Sequence, residues 1–298
     1  MVSIGAIAKR ETGRDTMERA RARASLIPDL LVEARRVANT VFSGWHGRRK
    51  RGIGENFWQF RPYVPGENMS RIDWRRSARD DTHIYVQDKE WQAAHTIWLW
   101  VDESASMLFK SEAAIVSKQS RSLVLAFAIA ELLARSGERV GWLGLTKPIL
   151  SRNAAEKLAE ALILAEPQSS FPKRADLGSQ SDLIIFSDFL DPVDEIEEQL
   201  TGLFKQGARG HVVQMIDPVE EVFPYRGRVE FQDPESGMKF TAGNAETLKS
   251  EYERELATRT AAMRQTVNSL GWSYIRHHTD RLASQALVSL HTHLSERK

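Results

Sequence analysis

From His95 to the C-terminus, short apolar runs alternate with stretches in which apolar residues recur every third or fourth position. The runs are HTIWLWVD (95–102), RVGWLGLT (139–146), DLIIFSDF (182–189), HVVQMIDP (211–218) and WSYIRHHT (272–279). Their length and their Val, Ile, Trp and Phe content predict strands buried on both faces. The stretches between them predict helices over about 110–136, 152–165, 191–207, 244–270 and 281–296. Strand and helix in alternation predict an α/β fold, doubly wound about a mainly parallel sheet. One excursion interrupts it: RVEF and MKF flank DPESG within 223–241, which reads as a β-hairpin. Ahead of this region, Leu30, Leu31, Ala34, Val37, Ala38 and Val41 share one face of an amphipathic helix. Between the two, Gly47, Gly52, Gly54, Pro62, Pro65 and Gly66 break any helix, and THIYVQDKEW alternates like a half-buried strand. The expected organisation is a tail and helix over 1–45, a β-rich annex over 46–94 and the α/β domain over 95–298.

Composition narrows the chemistry. The 298 residues carry a formal net charge of +1, so no global field points to nucleic acid or an anionic membrane. No cysteine is present, which removes disulfides, thiolate metal sites and cysteine nucleophiles, and any metal must sit on oxygen or histidine. The longest apolar run, LVLAFAIAELLA (123–134), falls short of the ~20 residues of a bilayer span and reads as a buried helix. With no signal-peptide core at the N-terminus, the expected location is the cytoplasm.

In an open parallel sheet, ligands gather beyond the carboxyl ends of the strands. Those ends deliver Asp102, Ser104 and Ser106 after the first run, Asp188 after the third, Asp217 after the fourth, and His277, His278 and Asp280 around the fifth. Carboxylates brought to one rim repel one another unless a cation, a basic side chain or protonation offsets them. Asp-x-Ser-x-Ser suits a hard cation, because two hydroxyls and a carboxylate in a tight loop can face one point. The competing reading makes these residues helix caps, as Asp191-Pro192 and Asp217-Pro218 suggest. Neither serine lies in a Gly-x-Ser-x-Gly elbow, and no phosphate-cradling Gly-rich motif follows a strand.

VDESASM after an apolar strand, with IIFSDF later, resembles the metal-ion-dependent adhesion site of von Willebrand factor type A domains. GIGENFWQFRPYVPGENMSRIDWRRSAR (52–79) resembles the signature of the bacterial family called domain of unknown function 58. Its matching positions are Gly52, Gly54, Phe57, Arg61, Tyr63, Pro65, Gly66, Arg71, Ile72, Asp73, Trp74, Ser77, Ala78 and Arg79, with Glu67 where the family usually has Asp. The resemblance implies a von Willebrand type A fold and pairing with MoxR-type AAA ATPases. It further implies that Ser104 and Ser106 ligate Mg²⁺ or Mn²⁺ directly, that Asp102 and Asp188 do so through water, and that a partner's carboxylate takes the open position. A threonine expected between these motifs is missing, and Ser169 or Ser170 in the linker is the candidate for its hydroxyl.

The annex is basic and aromatic, with nine Lys or Arg against four Asp or Glu over 47–80. That composition suits single-stranded nucleic acid, but ion pairs of Asp73 with Arg71, Arg75, Arg76 and Arg79 make a structural platform the favoured reading. The expected function is therefore a non-enzymatic, cytoplasmic protein-binding adaptor with a metal-dependent site. Its alternatives are a metal-assisted phosphoester hydrolase and a structural domain with a vestigial metal site.

Overall fold

The structure, a computed structural model, describes residues 13–46, 59–66, 69–80, 82–88, 95–168, 177 and 181–295. It divides into two compact units, one of residues 1–44 with 95–298 and the other of residues 45–94.

The larger unit is built on five parallel strands, β3 (Thr96–Val101), β4 (Arg139–Trp142), β5 (Asp182–Ser187), β6 (Arg209–Ile216) and β9 (Ser273–His278), in the spatial order β4-β3-β5-β6-β9. Each predicted strand is present. Chain order reverses between β3 and β5, because the chain leaves β3 for β4 on one side and then crosses to β5 on the other. In open parallel sheets such a switch point, here at the carboxyl ends of β3 and β5, is where ligands gather.

Alternate residues of β3 point to opposite faces. Ile97, Leu99 and Val101 join a core with α3 (Lys118–Arg135), α4 (Ala154–Leu164) and α8 (Ala283–Ser295). Trp98 and Trp100 join the opposite core, formed with α5 (Val193–Lys205) and α7 (Lys249–Ser269). Helix α3 is buried from Leu123 to Ala134, as an apolar run without a polar face requires. Part of its cover comes from α1 (Gly13–His46), whose Ile27, Leu30, Ala34, Ala38 and Val41 belong to the same core. Glu33 meets Arg121 at 3.4 Å, and Arg135 stacks over Phe42 at 5.6 Å. The amphipathic helix set apart by the sequence as a leading segment thus folds with the α/β unit, and it begins well before the predicted stretch.

The predicted excursion is a hairpin of β7 (Val229–Gln232) and β8 (Lys239–Ala242), following the one-turn helix α6 (Pro218–Val222). Phe223, Tyr225, Phe231, Phe240 and Tyr252 form a chain of ring contacts at its base.

The smaller unit pairs β1 (Gln59–Pro62) with β2 (Tyr85–Asp88) in antiparallel fashion, and Pro65-Gly66 turns with Gly66 at φ 107°. Between the strands lies the short helix α2 (Trp74–Ser77). Asp73 caps α2 by accepting the Arg76 N–H at 3.0 Å. Tyr85 donates its hydroxyl to Asp80 at 2.6 Å and its N–H to the Ser77 hydroxyl at 2.9 Å. Ile72 and Val86 are buried, while Trp74 is exposed.

Candidate functional site at the β3–β5 rim

The register of β3 on β5 sets Val101 opposite Phe186, so Asp102 leaves the sheet beside Ser187 and Asp188. The Asp102 N–H donates to the Phe186 carbonyl at 2.9 Å. Its carboxylate accepts the Ser187 hydroxyl at 2.6 Å on one oxygen and the Ser104 N–H at 2.9 Å on the other. Burial pushes the Asp102 carboxyl up to about 6; these hydrogen bonds oppose the rise, and the Asp188 charge adds to it.

Ser104 sits where a serine would cap the short turn Ala105–Leu108, yet its side chain makes no capping bond. Its hydroxyl instead lies 3.0 Å from that of Ser106. The capping alternative therefore does not describe Ser104. Next to it, Glu103 is tied to Gln168 twice, donating its N–H to the Gln168 carbonyl at 2.9 Å and accepting the Gln168 N–H at 3.0 Å. Gln168 thereby brings the linker to the rim, and Ser169 and Ser170 lie outside the described residues.

Asp188 is buried, and the offset foreseen for its charge is a basic side chain. Lys118, at the first position of α3 and itself fully buried, reaches Asp188 at 2.7 Å and Glu220 at 2.5 Å. Burial works against the ammonium, but the two carboxylates outweigh it and hold the Lys118 pKa above its ordinary value. Immediately after Asp188, Phe189 adopts a left-handed backbone at φ 55°, a conformation a bulky residue holds only where its surroundings impose it. Those surroundings are the Ser187 hydroxyl, which accepts the Phe189 N–H at 2.9 Å, and Arg259, whose guanidinium donates to the Phe189 and Asp191 carbonyls.

A further carboxylate arrives from the hairpin tip, where Glu235 accepts the Ser106 N–H at 2.9 Å. Asp191, raised by burial and then by the charges of Asp188, Glu195 and Glu235, lies in the same field. It does not cap α5 as the sequence suggested: Pro192 holds the cap position and makes no side-chain cap bond.

Asp217 is a cap. It forms a capping box with Glu220 at the start of α6 and also accepts the Ser111 N–H at 2.9 Å. His277 is buried and its pKa falls to about 4, because burial and then the charges of Arg121 and His278 disfavour its cation. His278 pairs with Glu221 at 2.6 Å.

The rim thus gathers Asp102, Ser104, Ser106 and Asp188, with Lys118, Ser187, Glu220, Glu235 and Arg259 as members the sequence reading missed. Lys118 had a signal: a basic residue in the first turn opposes the helix dipole, and a strong local anion must offset it. Glu235 had none, since its bond spans 129 residues. Among the described residues, no group of three or more His, Asp or Glu gathers at metal-ligand spacing. The donor set is instead two hydroxyls flanked by carboxylates. Adjacent corners of an octahedron with metal–oxygen bonds of ~2.0–2.1 Å lie roughly 2.8–3.0 Å apart, a spacing compatible with the 3.0 Å hydrogen bond between the two serine hydroxyls.

Residues 59–262 match the family model described as Protein of unknown function DUF58. An uncharacterized protein of Mycobacterium tuberculosis is 27% identical over 277 residues, which are 87% of this chain and 85% of that protein. Among solved structures, the conserved hypothetical protein BatB from Bacteroides thetaiotaomicron aligns at 13% identity and TM-score 0.37, over 68% of this chain and 100% of that one. An aerotolerance-related membrane protein from Bacteroides fragilis aligns at 14% identity and TM-score 0.34 over the same shares.

Proposed function

The chain belongs to the DUF58 family, and we propose that its β3–β5 rim is a divalent-cation-dependent docking site for a carboxylate of a protein partner. The observation that carries this reading is the 3.0 Å approach of the Ser104 and Ser106 hydroxyls beside Asp102. Two neutral hydroxyls give a hard cation little charge neutralisation, so the ion retains a demand for negative charge that a partner's carboxylate meets. When bound, Mg²⁺ or Mn²⁺ supplies that attraction. Ser104 and Ser106 would hold it with Asp102 and Asp188 beside them, and Lys118 offsets the Asp188 charge so that the rim does not overfill with negative charge.

We read the rim as a binding site rather than a hydrolytic one: Asp102 accepts from Ser187 and Ser104, and Asp188 and Glu220 share the Lys118 ammonium, so each of these carboxylates already has a partner within the fold. The von Willebrand type A resemblance, the parallel sheet and the position of the rim at its switch point all agree with this role. The partner we propose, from the family resemblance, is a MoxR-type AAA ATPase in the cytoplasm. Among the described residues no helix is long and apolar enough to cross a membrane.

The test is co-elution of the purified chain with the MoxR-type ATPase encoded in the same genome, in Mg²⁺ and in chelator. A complex that forms in Mg²⁺, dissolves in chelator and is lost in Ser104→Ala is expected. A complex indifferent to chelator removes the cation from the interaction, and no complex in either condition removes this partner.

A further inference from the structure

The β7–β8 hairpin is anchored at its base by packed rings but returns to the rim at its tip. Residues 232–241 are exposed, and within that stretch Glu235 sends its carboxylate to the Ser106 N–H at 2.9 Å. The tip is shaped for this. Asp233 accepts the Glu235 N–H at 3.0 Å and both the N–H and the hydroxyl of Ser236, and the Gly237 N–H returns to the Asp233 carbonyl at 2.8 Å. Gly237 turns with φ 70°, and the turn leaves the Glu235 side chain projecting toward the rim.

The Ser106 N–H lies in the first turn of Ala105–Leu108, where backbone donors lack intrahelical partners. It stands on the residue whose hydroxyl faces that of Ser104. An acid held on this donor is bound one residue's breadth from the paired hydroxyls, and an incoming acid that reached them would meet it there. We propose that Glu235 is an in-chain stand-in for the partner's carboxylate, and that the hairpin is a self-blocking arm an acidic segment of the partner must displace. This deepens the docking reading above and rests on it.

Three features suit a displaceable block. Glu235 is exposed, so it is removed without opening the core. Its contact is to a backbone donor, so any other carboxylate of similar reach can replace it. It also adds to the negative field around Asp188 and Asp191, so the docked arm is held against like charge.

The experiment has three arms. In chelator, amide hydrogen exchange at Ser106 is compared between the wild type and Glu235→Ala. The expected result is exchange about 10-fold faster in the variant, the loss of one charge-assisted hydrogen bond; equal rates overturn the docked arm whatever the metal does. In Mn²⁺, a labelled peptide of residues 229–242 is then offered in trans. Glu235→Ala is expected to bind it at least 10-fold more tightly than the wild type, and a peptide with Gln in place of the glutamate is expected to lose that binding. Equal binding by the two proteins, or no preference for the glutamate peptide, overturns the block. The third arm, Mn²⁺ uptake by the wild type and Ser104→Ala, judges the underlying reading separately. Uptake lost in the variant supports a cation at the rim, and no uptake by the wild type overturns that cation while the Ser106 exchange still decides whether Glu235 occupies the donor.

Discussion

At the scale of single residues, the rim is governed by how buried charge is offset. Lys118 is the clearest case, since its ammonium is fully buried between Asp188 and Glu220. Lys118→Met leaves both carboxylates without their cation, and removing one member of a buried ionic set destabilises by about 3–5 kcal/mol. Chemical denaturation should show that loss, and Mn²⁺ should recover part of it, because a divalent ion can neutralise the released carboxylates. His277 sets a pH dependence of the opposite kind. Its folded pKa of about 4 lies below the ordinary 6.5, so the unfolded chain binds its proton first as pH falls. The stability it provides is whole above about 6.5 and is lost progressively down to about 4, by up to roughly 3 kcal/mol. Arg121, His278 and Asp280 are the charges that act on it. His277→Asn should flatten the urea midpoint over that window; an unchanged slope would place the acid sensitivity elsewhere. Asp102 was visible in the sequence because it follows a strand. Its partner Ser187 was not, because apolar periodicity reports burial and says nothing of which polar groups meet.

At the scale of elements, the five strands and the main helices were legible, since each pairs an apolar run with a distinct period. The length and docking of α1 were not. Its first turns are rich in Arg, and burial against α3 is a tertiary fact that local polarity conceals. The hairpin was recognised from DPESG, but its reach to Ser106 depends on how α6 and the aromatic base aim it. Close packing fixes the other end of the sheet. A Cβ added at Gly210, in β6, would come within 1.8 Å of the Trp272 ring, which is itself buried. Gly210→Ala forces the indole or the strand to move. The expected loss is about 1–3 kcal/mol, measured as a lower urea midpoint, and the mutation should leave Mn²⁺ uptake at the distant carboxyl ends intact. A wild-type midpoint would mean that Trp272 relaxes freely.

At the scale of the whole molecule, a net charge of +1 gives no general attraction to any partner, so specificity has to reside in a local constellation. The doubly wound order supplies one place for it, the switch point between β3 and β5, and the chain uses that place to bring residues 102–106, 118, 188, 220 and 235 together. That convergence is what the sequence showed only in part: the strand ends foretold the rim, while the acid arriving from the hairpin tip did not follow from any one-dimensional pattern. The proposed docking role requires a divalent ion on Ser104 and Ser106. Thermal unfolding of the wild type and of Ser104→Ala across a Mn²⁺ titration tests it most directly. An ion at ~100 times its dissociation constant should add about 2.7 kcal/mol of stability to the wild type and far less to the variant. Melting curves that do not move with Mn²⁺, or that move equally in both proteins, would contradict the account.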